Sequence, residues 1–140
     1  MKCFALDVGD VWTGSAISDA AGFFARPYQT IRTTDLIPFL TELLNKEPIT
    51  HIAVGHPKTL RGTSSDQTKK VETLFKELQN HFKTVTWILW DERLSSKQAQ
   101  TLKHAKTKQE KIDSHSVAAA FILSTYLEFR ALQANQESPS

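Results

Sequence analysis

Short apolar runs and amphipathic stretches alternate along this chain. Cys3-Phe4-Ala5-Leu6 is an apolar run closed by Asp7-Val8-Gly9-Asp10, which predicts a strand ending in a turn. Residues 13–18 and 23–31 predict two more strands, separated by the tight-turn composition Asp19-Ala20-Ala21-Gly22. Connections this short predict an antiparallel meander, because parallel neighbours need long crossovers. Thr34-Asp35 can cap a helix that runs to Lys46, with Leu36, Phe39, Leu40, Leu43 and Leu44 on one side and Pro48 as its stop. His51-Ile52-Ala53-Val54 reads as a buried strand ending at Gly55-His56-Pro57.

Residues 58–66 are polar and contain glycine, hence a loop. Ser65 or Asp66 opens a helix carrying Val71, Leu74, Phe75 and Leu78. Residues 85–90 are the clearest strand of the chain and end at Asp91-Glu92-Arg93, with Trp87 and Trp90 expected mostly in the core. Ser95 starts a short helix with Ala99 and Leu102. Residues 103–111 have no apolar stripe and read as a mobile loop. Residues 112–132 form the last helix, with Val117, Phe121, Ser124 and Leu127 marking its period. The order βββαβαβαα predicts an α/β architecture with a mixed sheet. One domain over residues 1–132, with a disordered tail over 133–140, accounts for the chain.

Composition narrows this picture. The 140 residues, 40% hydrophobic and 23% charged, suit one soluble globular domain with a real core. No apolar run reaches the roughly 20 residues that cross a bilayer. An acidic residue at position 7 comes too early for a signal peptide, and a lone cysteine suits a reducing cytosol, so a cytoplasmic protein is expected. Two-domain kinases, two-domain dinucleotide enzymes and TIM barrels need more chain. The net charge of +2 does not by itself declare a nucleic-acid binder. The segment 93–111 says more, with six basic side chains and only Glu110 as an acid. Such a patch attracts phosphate, or is simply a solvated face.

Two acids follow apolar strands, Asp7 after the first and Glu92 after the fifth. Ligands of open α/β sheets gather outside the carboxyl ends of the strands. A third acid, Asp113, lies near the start of the last helix. Three carboxylates in one pocket call for a cation, and Mg²⁺ or Mn²⁺ takes oxygen ligands. Spacing alone leaves capping of turns or helices as the plainer account. Other features carry less. Gly9-x-x-x-x-Gly14-Ser15 lacks the lysine of a phosphate loop, and the five histidines and Cys3 show no zinc spacing. Ser95 and Ser96 have no positioned base and suit a helix cap.

Read together, Leu6-Asp7-Val8-Gly9, Ala25-Arg26-Pro27, Val54-Gly55-His56-Pro57, Asp91-Glu92-Arg93-Leu94-Ser95-Ser96 and Ala118-Ala119-Ala120-Phe121-Ile122-Leu123 resemble the YqgF, or RuvX, family. These are Holliday junction resolvases and pre-16S ribosomal RNA nucleases of the ribonuclease H superfamily. The motifs cover roughly residues 2–130, and the Asp-Glu-Arg-Leu-Ser-Ser block is the most specific of them. The resemblance implies a ribonuclease H-like fold, a five-stranded mixed sheet whose first three strands are antiparallel, flanked by helices. It implies a metal-dependent nuclease acting in 5′-end maturation of pre-16S ribosomal RNA, or on branched DNA, as a monomer or homodimer. Asp7, Glu92 and Asp113 would hold the Mg²⁺ or Mn²⁺, expected as two ions.

The third site residue stays open between two alternatives. The family's helix acid lies seven residues before the Ile of the Ile-Leu pair, which is His115 here, with Asp113 two residues earlier. Either Asp113 sits at the helix N-cap and reaches in, or His115 takes the metal-facing place as a ligand or base. Residues 10–12, Asp-Val-Trp, depart from the small polar and basic residues usual there. Trp12 then either stacks on a base or packs under the sheet. Arg93 is expected to clamp phosphate beside Glu92, with Lys58, Arg61, Lys97 and Lys103 as further backbone contacts. A rival from another class is a nucleic-acid-binding module of the same fold that has lost its site. An ATP-binding, actin-like relative is disfavoured, because that site needs a second domain.

Overall fold

The computed structural model describes residues 1–57, 66–91 and 108–137, with side chains described for all of these except 108–113 and 135–137. Five strands, β1 (Lys2–Val8), β2 (Trp12–Ser18), β3 (Ala25–Arg32), β4 (Ile49–His56) and β5 (Thr86–Asp91), form one sheet in the order β3-β2-β1-β4-β5. The meander pairs β1 with β2 and β2 with β3 antiparallel, whereas β4 joins β1 and β5 joins β4 in parallel. The parallel pairs are those with helical crossovers, α1 (Leu36–Lys46) before β4 and α2 (Asp66–His81) before β5. A long helix, α3 (Lys108–Glu137), follows.

Both faces of the sheet are covered, so its central strands read as continuous apolar runs. One face sets Phe4, Leu6, Ile17, Ile52 and Val54 against Leu36, Leu40 and Leu43 of α1 and Val71 and Leu78 of α2. The other face is lined by small side chains, Cys3, Ala5, Ala16 and Ala53, and receives Ala119, Ile122, Leu123, Tyr126 and Leu127 of α3. Small residues on both sides bring this helix close to the strands. Burial holds the Cys3 thiol above its usual range, which makes it a packing group and not a nucleophile.

Several expectations are corrected at their edges. The third strand begins at Ala25, not at 23, because Asp19 Oδ1 accepts the backbone N–H groups of Phe23 and Phe24 and draws them into the turn. Helix α1 is preceded by a 3₁₀ turn, Thr33–Asp35, and Asp35 occupies its N-cap without a side-chain hydrogen bond. Helix α3 begins at Lys108 instead of 112, so the last part of the expected 103–111 loop is helical. It continues to Glu137 instead of ending at Leu132, so residues 133–137 of the expected disordered tail are helical, and 138–140 lie outside the described residues. Its buried stripe is Ser116, Ala119, Ile122, Leu123, Tyr126 and Leu127, while Val117, Phe121 and Ser124 are half-buried. The contact positions include Ser and Ala, chosen for closeness and not for hydrophobicity, so apolar periodicity pointed to a neighbouring face. The short helix expected from Ser95 lies outside the described residues. Among the described residues no helix is long and apolar enough to cross a membrane.

Candidate active site

Alternation along β1 places Asp7 on the face of Cys3 and Ala5, the face covered by α3. Its antiparallel partner on β2 is Gly14. A Cβ on Gly14 would collide with the backbone carbonyl of His115 and the amide of Ser116, so the helix rests directly on this glycine. Gly14 is paired in turn with Thr30 of β3, whose hydroxyl hydrogen-bonds the hydroxyl of the buried Ser116. These contacts fix the N-terminal part of α3 against three strands. His115 Nδ1 then lies 3.6 Å from Asp7 Oδ2, with the side chains 35% and 18% exposed respectively. The separation exceeds a hydrogen bond, so the two groups face each other across a partly open space.

The turn between β1 and β2 is held from several directions. Gly9 N–H donates to Trp12 O at 3.0 Å, and a Cβ on Gly9 would press on that oxygen at 2.6 Å. Thr33 Oγ1 donates to Gly9 O at 2.7 Å, and Thr33 N–H donates to Val11 O at 2.9 Å. Gln67 Nε2 of α2 donates to Val8 O at 3.2 Å. Asp10 pairs with Lys70 at 3.3 Å on the surface. Trp12 is not packed under the sheet. It is half-buried, with the Arg32 guanidinium 4.9 Å from its ring centroid. On the opposite face, buried His56 meets Glu72 at 2.8 Å and Thr68 Oγ1 donates to Pro57 O at 2.6 Å, which ties the end of β4 to α2.

The structure thus brings Asp7 and His115 together at the carboxyl edge of the parallel strands. Asp113 lies inside α3 rather than at its N-cap, since the helix starts at Lys108, and its side chain is outside the described residues. Two helical residues turn by about 200°, so positions 113 and 115 cannot both face Asp7. Glu92, Arg93, Lys97, Lys103, Lys58 and Arg61 all lie outside the described residues. Among the described residues no group of three metal-ligating side chains occurs. Sequence reasoning did not single out Thr30, Thr33, Ser116 or Arg32. The available signal was the small Ser116 beside the Ala118-Ala119-Ala120 run, which marks a close helix contact.

The sheet order and the helix across it define a ribonuclease H-like fold. A family model described as "RuvX: Holliday junction resolvase" matches residues 1–129. A relative from Rubrobacter xylanophilus, named "Putative pre-16S rRNA nuclease", is 37% identical over 125 residues, covering 89% of this chain and 90% of its own. One of the same name from Shouchella clausii is 33% identical, covering 91% and 95%. Thermus thermophilus RuvC in complex with a Holliday junction substrate superposes with a TM-score of 0.59 at 15% identity, covering 94% of this chain and 96% of that one, a likeness of fold. The chain belongs to the RuvX family, a family of hydrolytic nucleases.

Proposed function

We propose that this protein is a cytoplasmic, metal-dependent nuclease that matures the 5′ end of pre-16S ribosomal RNA, acting through a single domain. The observation that carries the reading is the approach of Asp7 to His115 on one face of the sheet, at its carboxyl edge. The name of the curated relatives supports the substrate. The description of the matching family favours a second reading, cleavage of branched DNA.

The donor set fits a divalent ion. Asp7 offers carboxylate oxygens and His115 an imidazole nitrogen, both partly exposed, and the pair is too far apart for either to occupy the other by a hydrogen bond. Asp7 and His115 would hold the metal, with Glu92 as a further carboxylate and Asp113 the alternative to His115. When bound, Mg²⁺ or Mn²⁺, as two ions, supplies an activated water and neutralises the leaving oxygen. Asp7 brings negative charge from a rigid strand, and the Gly14 contact sets the position of His115. Arg93, Lys58, Arg61, Lys97 and Lys103 position the phosphates.

The test is cleavage by the purified chain, with Mn²⁺, of a 5′-extended small-subunit precursor RNA and of a four-way DNA junction. Trimming of the RNA that Asp7→Asn abolishes is the expected result. Cleavage of the junction alone moves the assignment to the second reading. Binding of either substrate with no cleavage by the wild type leaves a non-catalytic binding module and overturns the nuclease assignment.

A further inference from the structure

Gly14 and Thr30 face α3, so strand alternation carries Trp12, two residues before Gly14, and Arg32, two residues after Thr30, to the same side. They are register partners on β2 and β3. Both therefore stand at the rim of the site that contains Asp7 and His115. Trp12 is half-buried and Arg32 exposed, with its guanidinium 4.9 Å from the ring centroid. Among the described residues Arg32 has no carboxylate partner. Asp10, the acid of the adjoining turn, is taken by Lys70 at 3.3 Å. The charges of Asp10 and Lys70 offset each other, so neither neutralises the positive charge of Arg32 beside Trp12.

We propose that Arg32, seated on the Trp12 ring, is a phosphate-contacting residue of the substrate path. A guanidinium laid on an aromatic face keeps its N–H edge free, in the fork that matches two phosphate oxygens. The ring limits the rotamers of a side chain that would otherwise lose freedom on binding. The same contact covers one face of Trp12, so the indole serves the arginine as a platform and does not stack on a base with that face. A phosphate held here lies on the strand side of Asp7 opposite to β4 and β5, and the nucleic acid then runs across the β1–β2 turn. The inference rests on the nuclease reading, since it supposes a polyanionic substrate in this site.

Fluorescence anisotropy in EDTA, with a labelled precursor-RNA hairpin and a labelled four-way junction as probes, separates binding from cleavage. Arg32→Gln should weaken binding about three- to tenfold and reduce the slope of log K against log salt by about 0.9 on duplex arms. Arg32→Lys should keep the slope while losing part of the affinity, because charge remains and the fork is gone. Trp12→Ala should weaken binding more than Trp12→Phe, with the slope retained in both, because phenylalanine keeps a smaller aromatic platform. Thermal melts check that each variant is folded. A folded Arg32→Gln protein with unchanged affinity and slope, beside a wild type that binds and cleaves, overturns this inference alone. A wild type that binds neither probe overturns both this inference and the nuclease reading.

Discussion

The backbone of His115 rests on the Cα of Gly14, with no room between them for a single methyl group. This contact couples a strand residue with no side chain to the position of the residue facing Asp7. A Cβ at position 14 meets backbone atoms of a long helix, which cannot swing aside as a flexible side chain would. In Gly14→Ala the helix must lift, straining the Thr30–Ser116 hydrogen bond and drawing His115 from Asp7. Destabilisation of about 1–3 kcal/mol is expected for such overpacking. The check is a urea midpoint shifted downward at constant m-value, with cleavage reduced at a temperature where the variant is fully folded. A wild-type midpoint with full activity would refute the coupling.

His115→Ala should lose more activity than Asp113→Asn. Position 113 is about 200° around the helix from position 115, and only one of the two can look toward Asp7. A fall of about 100-fold or more in single-turnover rate is expected for His115→Ala at saturating substrate, the range for loss of an acid–base or ligand group. A larger fall in Asp113→Asn would reverse the assignment.

The β2–β3 turn carries a pH signature of its own. Asp19 is held below the usual carboxylate range chiefly by the Phe24 N–H, with the Phe23 N–H adding to it. Because the folded value is lowered, its contribution to stability is fully present above the ordinary carboxyl range and fades as the pH falls through the lowered value. The amide resonances of Phe23 and Phe24 should titrate together, with a midpoint below that range, and Asp19→Ala should abolish the transition. A midpoint at the ordinary carboxyl value would contradict the geometry.

Much of this was legible in the sequence, and the exceptions around α3 share a cause. The strand–turn–strand start, the two amphipathic helices and the parallel strands follow from apolar periodicity, which reports burial against large side chains. The stripe of α3 escaped that signal because its contacts with β1 and β2 use Ser116, Ala119, Gly14, Ala5 and Ala16. Asp7 was visible as an acid ending a buried strand. The choice between Asp113 and His115 was not, because it depends on where the helix starts and how it is rotated, and both follow from the packing of small residues. Trp12 looked ambiguous for a similar reason, since its partner Arg32 is remote in sequence and adjacent only through strand pairing.

The identity of the residue opposite Asp7 has a consequence for the metal. Mg²⁺ favours an all-oxygen octahedral shell and parts from water reluctantly, while an imidazole nitrogen suits softer divalent ions, so His115 as a ligand tilts the site towards Mn²⁺. Activity should vanish on EDTA treatment and return further with Mn²⁺ than with Mg²⁺. His115→Asp restores an all-oxygen set and should lower the ratio of the Mn²⁺-supported rate to the Mg²⁺-supported rate. Calorimetric titration of each ion into the folded variants gives a readout that needs no turnover, and the Mn²⁺ affinity should fall more than the Mg²⁺ affinity in His115→Asp. Equal ratios in wild type and variant, with unchanged Mn²⁺ affinity, would remove His115 from the ligand set and leave it the role of a base near Asp7.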